Sequence, residues 1–269
     1  MPLAICATPI GNLDDVTLRV LEELRAADVV LCEDTRHTRV LLERHGIAAK
    51  VVSYHQHNEA ARTSQTLDRL RSGERVALVS DAGLPGVNDP GARLIEAAAA
   101  AGLEVTVLPG ASAVATALVA SGLAADRFQF VGYLPRRVAE LRALAGELRT
   151  WGGAVVAFES PRRLPASLRV LAEELPARPA AVCRELTKRY EEVSRGSLEE
   201  LSMRFTEPPR GEVTLVLGAG ASARSSEDDV AASAAVAELV AAGAARRTAA
   251  EVVSRLSGTP RNRLYRGSL

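Results

Sequence analysis

The chain has 269 residues, 47% of them hydrophobic, and carries 33 basic and 33 acidic side chains. That length accommodates two domains with real cores, and the neutral balance excludes a protein that coats DNA or RNA with its whole surface. No apolar run reaches the ~18 residues of a membrane span, and no basic segment leads into a hydrophobic stretch at the N-terminus, so a cytoplasmic protein with no membrane association is expected.

Aromatic residues make up only 3% of the chain, which leaves Ala, Val and Leu to fill the cores. Cys6, Cys32 and Cys183 are odd in number and form no CxxC, which argues against a disulfide framework or a zinc cluster. Each lies in or beside an apolar run and reads as a buried, inert thiol. No metal site is expected.

Residues 3–7 read as a short strand running into TPIGNL (8–13), followed by an amphipathic helix over 18–26. The next strand, 28–32, ends in EDTR (33–36), where three charged side chains follow an apolar run; these suggest either a site or local ion pairing with capping by Asp34 or Thr35. A helix over 38–45 stops at Gly46, a C′ glycine. Residues 51–52 lead into SYHQHNE (53–59). His55, His57 and Glu59 there read less well as metal ligands than as substrate contacts or a loop over a cleft, because no further His or Cys completes a coordination sphere. A helix covers 60–72 and a strand 75–79.

The loop SDAGLPGVNDPG (80–91) follows and precedes a helix over 92–101. Its three glycines and two prolines prescribe a backbone path at a strand's carboxyl end, where open α/β sheets bind ligands. Strand 104–108 opens into PGASA (109–113), with Ser112 placed to cap a helix over 113–121. Five strands separated by helices make a parallel α/β domain over 1–112.

The second half reads as strand 128–132, helix 138–150, strand 154–158 ending in ESPRR, a helix to 175, strand 180–183, and the charged run RELTKR (184–189). Ser197 and Glu200 form a capping box, and the last strand covers 212–217. This is a second α/β domain, over 113–220, with a mixed sheet. The GAG at 218–220 lacks a third glycine and an apolar helix, so it is no dinucleotide loop. Residues 221–229 read as a linker. A small helical module over 228–269 has amphipathic segments from residue 230, broken at Gly243 and at a Gly258-Thr259-Pro260 turn, with Arg261, Arg263 and Arg266 near its end.

Neither a GxxxxGK[ST] nor a GxGxxG loop occurs. Instead TPIGNL, the 80–91 loop and PGAS (109–112) form one rim of Pro/Gly loops suited to a compact ligand held by backbone groups. With EDTR, FESP (158–161), RELTK (184–188) and Gly211-Glu212, these motifs resemble the tetrapyrrole methylase superfamily, and within it an RNA-modifying branch, over residues 3 to about 218. Leu84, Gln56 and Arg162 depart from the usual pattern.

The resemblance implies two α/β domains with S-adenosyl-L-methionine bound in the cleft between them, and a homodimer. It also implies 2′-O-methylation of a cytidine ribose in the decoding region of 16S ribosomal RNA, within the small ribosomal subunit. Pro9, Gly11, Asp81, Ala82, Gly83, Ser112, Ala113, Phe158 and Gly211 would hold the cofactor. A base for the ribose hydroxyl is sought among Glu33, Asp34, Glu159 and Glu185, unranked, with His55 behind them. Arg36, Arg162, Arg184 and Lys188 would hold RNA phosphates. Two alternatives stay open, a corrin or porphyrin methyltransferase and a noncatalytic RNA-binding assembly factor.

Overall fold

The computed structural model describes residues 2–220, 226–257, 259, 261 and 264. Strands β1 (Leu3–Cys6), β2 (Val29–Cys32), β3 (Val51–Ser53), β4 (Val76–Val79) and β5 (Val105–Leu108) form a parallel sheet in the order β3-β2-β4-β1-β5. The three central strands are buried at every position. Helices cover both faces of a parallel sheet, which is why these strands read as unbroken apolar runs. Helices α1 (Leu18–Ala26) and α2 (Thr35–Arg44) cover one face, around Cys6, Val20, Leu24 and Leu42. On the other, α3 (Glu59–Arg71) and α4 (Ala92–Ala100) pack around Ile5, Leu31, Leu70 and Leu94.

The neighbours β1 and β4 send their chains to opposite faces of the sheet, β1 into α1 on one and β4 into α4 on the other. The loops after them therefore diverge, leaving a crevice at the strands' carboxyl ends.

Helix α5 (Ala113–Ser121) leaves this sheet and packs on a second one. That sheet is built from β6 (Phe128–Tyr133), β7 (Ala154–Glu159), β8 (Pro179–Arg184), β9 (Glu192–Ser197) and β10 (Val213–Leu217), in the order β6-β7-β10-β8-β9. Only β6 and β7 run parallel; every other pairing is antiparallel, so the sheet is mixed. Helices α6 (Val138–Arg149), α7 (Leu164–Glu174) and α8 (Leu198–Arg204) bury Leu141, Leu148, Leu168, Leu171 and Leu201 against one face. On the other face Ala117 and Leu118 of α5 meet Ile10, which comes from the loop after β1, and Leu186. One apolar cluster thus spans both halves of the chain.

Three elements differ from the sequence expectation. Helix α2 begins at Thr35 rather than residue 38, because Asp34 caps it, its Oδ1 accepting from Arg36 N at 2.8 Å. Strand β9 was not anticipated: EVSRGS buries only Ser194 and lies at a sheet edge, so it carries no hydrophobic alternation. Helix α9 (Ser226–Ala241) starts upstream of residue 230, inside the stretch read as linker, and packs with α10 (Arg246–Ser257) around Val236, Ala249, Ala250 and Val253. Residues 221–225 of that linker, Gly258 and Pro260 of the expected turn, and Arg263 and Arg266 lie outside the described residues. Among the described residues no helix is long and apolar enough to cross a membrane.

Candidate functional site

The two divergent loops are tied together at their roots. Thr8 N donates to Gly83 O at 2.8 Å and Gly83 N returns a bond to Thr8 O at 3.0 Å, while Thr8 Oγ1 donates to Ser80 O at 3.0 Å. Glu59, at the start of α3, holds the far end of the second loop by accepting from Gly91 N at 3.3 Å. The SYHQHNE segment thereby supports the loop. His55, His57 and Glu59 do not line the cavity described below, and the two imidazoles stand edge to face at 5.9 Å.

Between this rim and the second sheet lies a cavity of about 650 Å³, within the range of ligand pockets. Residues 81–84 and 109–114 form one wall, and residues 158–161 and 212–214 the other. Of the residues predicted to hold a cofactor, Asp81, Ala82, Gly83, Ser112, Ala113 and Phe158 all line it; Pro9, Gly11 and Gly211 do not. Gly11 belongs to a neighbouring shallow depression with Arg44 and Lys188. A Cβ there would fall 2.6 Å from Lys188 Cγ and 2.9 Å from Leu186 O, so its bareness lets the loop after β1 press against residues 186–188. Gly211, at φ 91°, leaves room for the Glu185 side chain.

The cavity's chemistry is mixed. Ser112 caps α5, its Oγ accepting from Ala115 N at 3.4 Å, and the first-turn N–H groups, which lack partners within a helix, belong to cavity residues 113 and 114. Ile10, Leu84, Val114, Phe158 and Leu186 are apolar. Asp81 contributes a carboxylate whose Oδ1 accepts from Asp34 N at 3.0 Å and whose Oδ2 lies 3.6 Å from His37 Nδ1. Backbone donors, apolar walls and carboxylates fit an elongated ligand with a flat ring, hydroxyls and a positive centre. At the mouth, Tyr133 and Phe130 each meet Phe158 edge to face, at 5.6 and 4.9 Å, and Tyr133 is 60% exposed. Three aromatic rings gather here in a chain that has few.

The four carboxylates predicted as bases separate clearly. Glu159 lines the cavity, but its fully buried side chain is already satisfied: it accepts from Ser160 N at 2.6 Å and Ser167 Oγ at 2.5 Å and pairs with Arg163 at 3.1 Å. Asp34 caps α2 and is gripped by Arg36, at 2.6 Å, whose hydrogen bonds hold its carboxyl well below the ordinary range. Glu185 accepts from Glu212 N at 2.9 Å and Lys188 Nζ at 3.1 Å, and these bonds lower its pKa, the backbone contact most. Glu33 is pushed up by burial and then by the charge of Asp81, and it stands outside the lining. His55 Nδ1 is buried without a partner, also away from the cavity.

One acid that sequence reasoning passed over does line the cavity. Asp89 is partly buried and, among the described residues, accepts no hydrogen bond and makes no ion pair; burial, then the charges of Glu33 and Asp81, push its carboxyl up to about 6. Its signal was present in the sequence, inside the 80–91 loop, but hidden among turn residues.

Of the predicted phosphate ligands, three are engaged within the chain: Arg36 with Asp34, Arg184 with Glu192 at 2.8 Å, and Lys188 with Glu212 at 2.8 Å and Glu185 at 3.1 Å. Arg162 is exposed, next to Pro161 of the cavity wall, and has no ion-pair partner among the described residues.

A family model described as Tetrapyrrole (Corrin/Porphyrin) Methylases matches residues 2–202. A protein of Micromonospora olivasterospora named "Ribosomal RNA small subunit methyltransferase I" is 47% identical over 265 residues, covering 98% of this chain and 85% of that one. A protein of the same name from Synechocystis sp. is 42% identical over 275 residues, covering 99% and 97%. The uroporphyrin-III C-methyl transferase of Thermus thermophilus, solved in complex with S-adenosyl homocysteine, superposes with a TM-score of 0.58 at 20% identity, over 81% of this chain and 97% of that one.

Proposed function

Since this chain belongs to the tetrapyrrole (corrin/porphyrin) methylase family, we propose that it is an enzyme that uses S-adenosyl-L-methionine to methylate ribosomal RNA of the small subunit, at the 2′-hydroxyl of a cytidine ribose. The observation that carries the reading is the lining of the interdomain cavity: six residues chosen from sequence motifs as cofactor contacts meet on its walls. The shared name of the relatives at 42% and 47% identity favours RNA over a tetrapyrrole as substrate.

When bound, the cofactor supplies a sulfonium methyl that is already activated. The protein's part is alignment, for which well-oriented reactants gain roughly 7 to 11 kcal/mol, and removal of the hydroxyl proton. Asp81, with the backbone of Ala82 and Gly83, would face the cationic part of the ligand, and the capped start of α5 at Ser112 and Ala113 would offer N–H groups to its polar end. Ile10, Val114 and Phe158 would exclude water from its apolar parts. Tyr133, exposed beside Phe158, offers an incoming base a stacking surface. Arg162, exposed at the wall's edge, would hold a phosphate without reading sequence.

The test is transfer of radiolabelled methyl to small ribosomal subunits that lack the modification, followed by nuclease digestion to locate the label. Label on one cytidine 2′-oxygen is the expected result; label on no nucleotide overturns the reading. With Asp81→Ala, calorimetry is expected to find cofactor binding abolished. Unchanged affinity would remove Asp81 from the site.

A further inference from the structure

We propose that Asp89 is the catalytic base that takes the proton from the substrate hydroxyl, an inference that rests on the methyl transfer proposed above. A ribose hydroxyl is a poor nucleophile at neutral pH and gains from a positioned acceptor. Such an acceptor needs a free lone pair facing the reacting atoms. The cavity offers four carboxylates, Asp81, Asp89, Glu159 and Glu212. Glu159 is filled by Ser160, Ser167 and Arg163, Glu212 is paired with Lys188, and Asp81 accepts from Asp34 N beside His37. Among the described residues, Asp89 alone of the four has neither a hydrogen bond nor an ion pair.

Geometry holds it where the two halves of the chain meet. Glu59 grips the loop two residues on, at Gly91. One residue before, Asn88 Oδ1 lies 3.0 Å from where a Cβ on Gly132 would stand, at the irregularity of β6 between Phe130 and Tyr133. Asp89 therefore sits on the first domain's rim close to Tyr133 of the second, whose hydroxyl feels its charge. The charged and titratable groups facing it are Glu33 at the end of β2, Asp81 at the end of β4 and Tyr133 of β6. The two acids, after burial, keep Asp89 more basic than an ordinary aspartate while leaving it ionised at neutral pH. That range suits a general base.

In the step, the hydroxyl oxygen forms its bond to the methyl carbon, the carbon–sulfur bond breaks with its electron pair remaining on sulfur, and the hydroxyl proton passes to an Asp89 carboxylate oxygen and on to solvent. No further reactant is needed.

The experiment is single-turnover methyl transfer to unmodified small subunits across pH 5 to 9, with cofactor binding measured alongside. The wild-type rate is expected to fall below about pH 6; Asp89→Asn is expected to slow transfer by about 10²- to 10⁴-fold at unchanged cofactor affinity and to abolish that fall. Asp89→Glu is expected to recover part of the rate. Glu33→Gln removes a like charge and is expected to move that acid limb to lower pH. Transfer by Asp89→Asn within threefold of wild type, or an acid limb that survives in it, overturns the proposal and leaves the function standing. Loss of transfer in Glu33→Gln with retention in Asp89→Asn would give the role to Glu33. A wild-type chain that binds cofactor yet transfers no methyl takes down the function and this inference together.

Discussion

Asp89 also has a cost that equilibrium measurements register. Its carboxyl rises from 3.8 to about 6 on folding, so the native state favours the protonated form. The sign follows: its contribution to stability is fully present below pH 3.8 and is lost as pH climbs through about 6. Above that pH the ionised group destabilises the fold by about 2 kcal/mol, after discounting for its partial exposure. Asp89→Asn is expected to unfold at higher denaturant concentration than wild type at pH 8 and at the same concentration at pH 3, below both pKa values. A catalytic group held against its own stability behaves this way. A structural aspartate would show the opposite, a variant less stable at pH 8. Nothing in the sequence separates Asp89 from Asp81, eight residues earlier in the same loop. The difference arises from burial and from Glu33, which reaches the site along a different strand.

At the scale of elements, what was legible followed rules that act locally. The apolar runs LAIC, VVLC and VALV are buried at every position, as their uniformity implies, and the Ser197 capping box forms with both of its bonds. Strand β9 escaped because an edge strand needs no apolar face. Its register with β8 is set by the neighbouring backbone, and sequence carries no mark of that. Gly11 shows the same limit: it lies outside the cavity's lining, at a close approach to residues 186–188 that the sequence does not mark. Gly11→Ala puts a methyl against Leu186 O, Thr187 Oγ1 and Lys188 Cγ, and threatens the bond from Asn12 N to Thr187 Oγ1, 3.0 Å long. Lys188 can swing aside but the carbonyl cannot. The expected cost is about 1–3 kcal/mol by denaturant titration. Cofactor affinity should weaken as well, because Ile10 and Leu186 flank this seam and line the cavity. Unchanged stability and affinity would show that the two loops do not need their close approach.

Across the whole molecule, the cavity and the C-terminal helices belong to separate parts of the chain. The cavity draws every lining residue from positions 10 to 214, whereas α9 and α10 bury a small core of their own around Val236 and Val253. The family model ends at residue 202, yet the relatives named for ribosomal RNA match 98% and 99% of the chain. The helical module thus lies beyond the methylase region and within the stretch matched by those two relatives, and it presents Arg247 and Arg261 at its surface. Basic side chains on a separate module suit docking on a phosphate-rich particle, where affinity depends on salt. A chain ending at residue 220 is therefore expected to bind cofactor within about twofold of the full chain and to methylate small subunits at least tenfold more slowly. The deficit should be largest at high ionic strength, where the few remaining phosphate contacts are screened. Equal rates in the two chains would confine RNA recognition to the cleft, and to Arg162 and Tyr133 at its mouth. Lost cofactor binding would mean that the module supports the fold of the cavity.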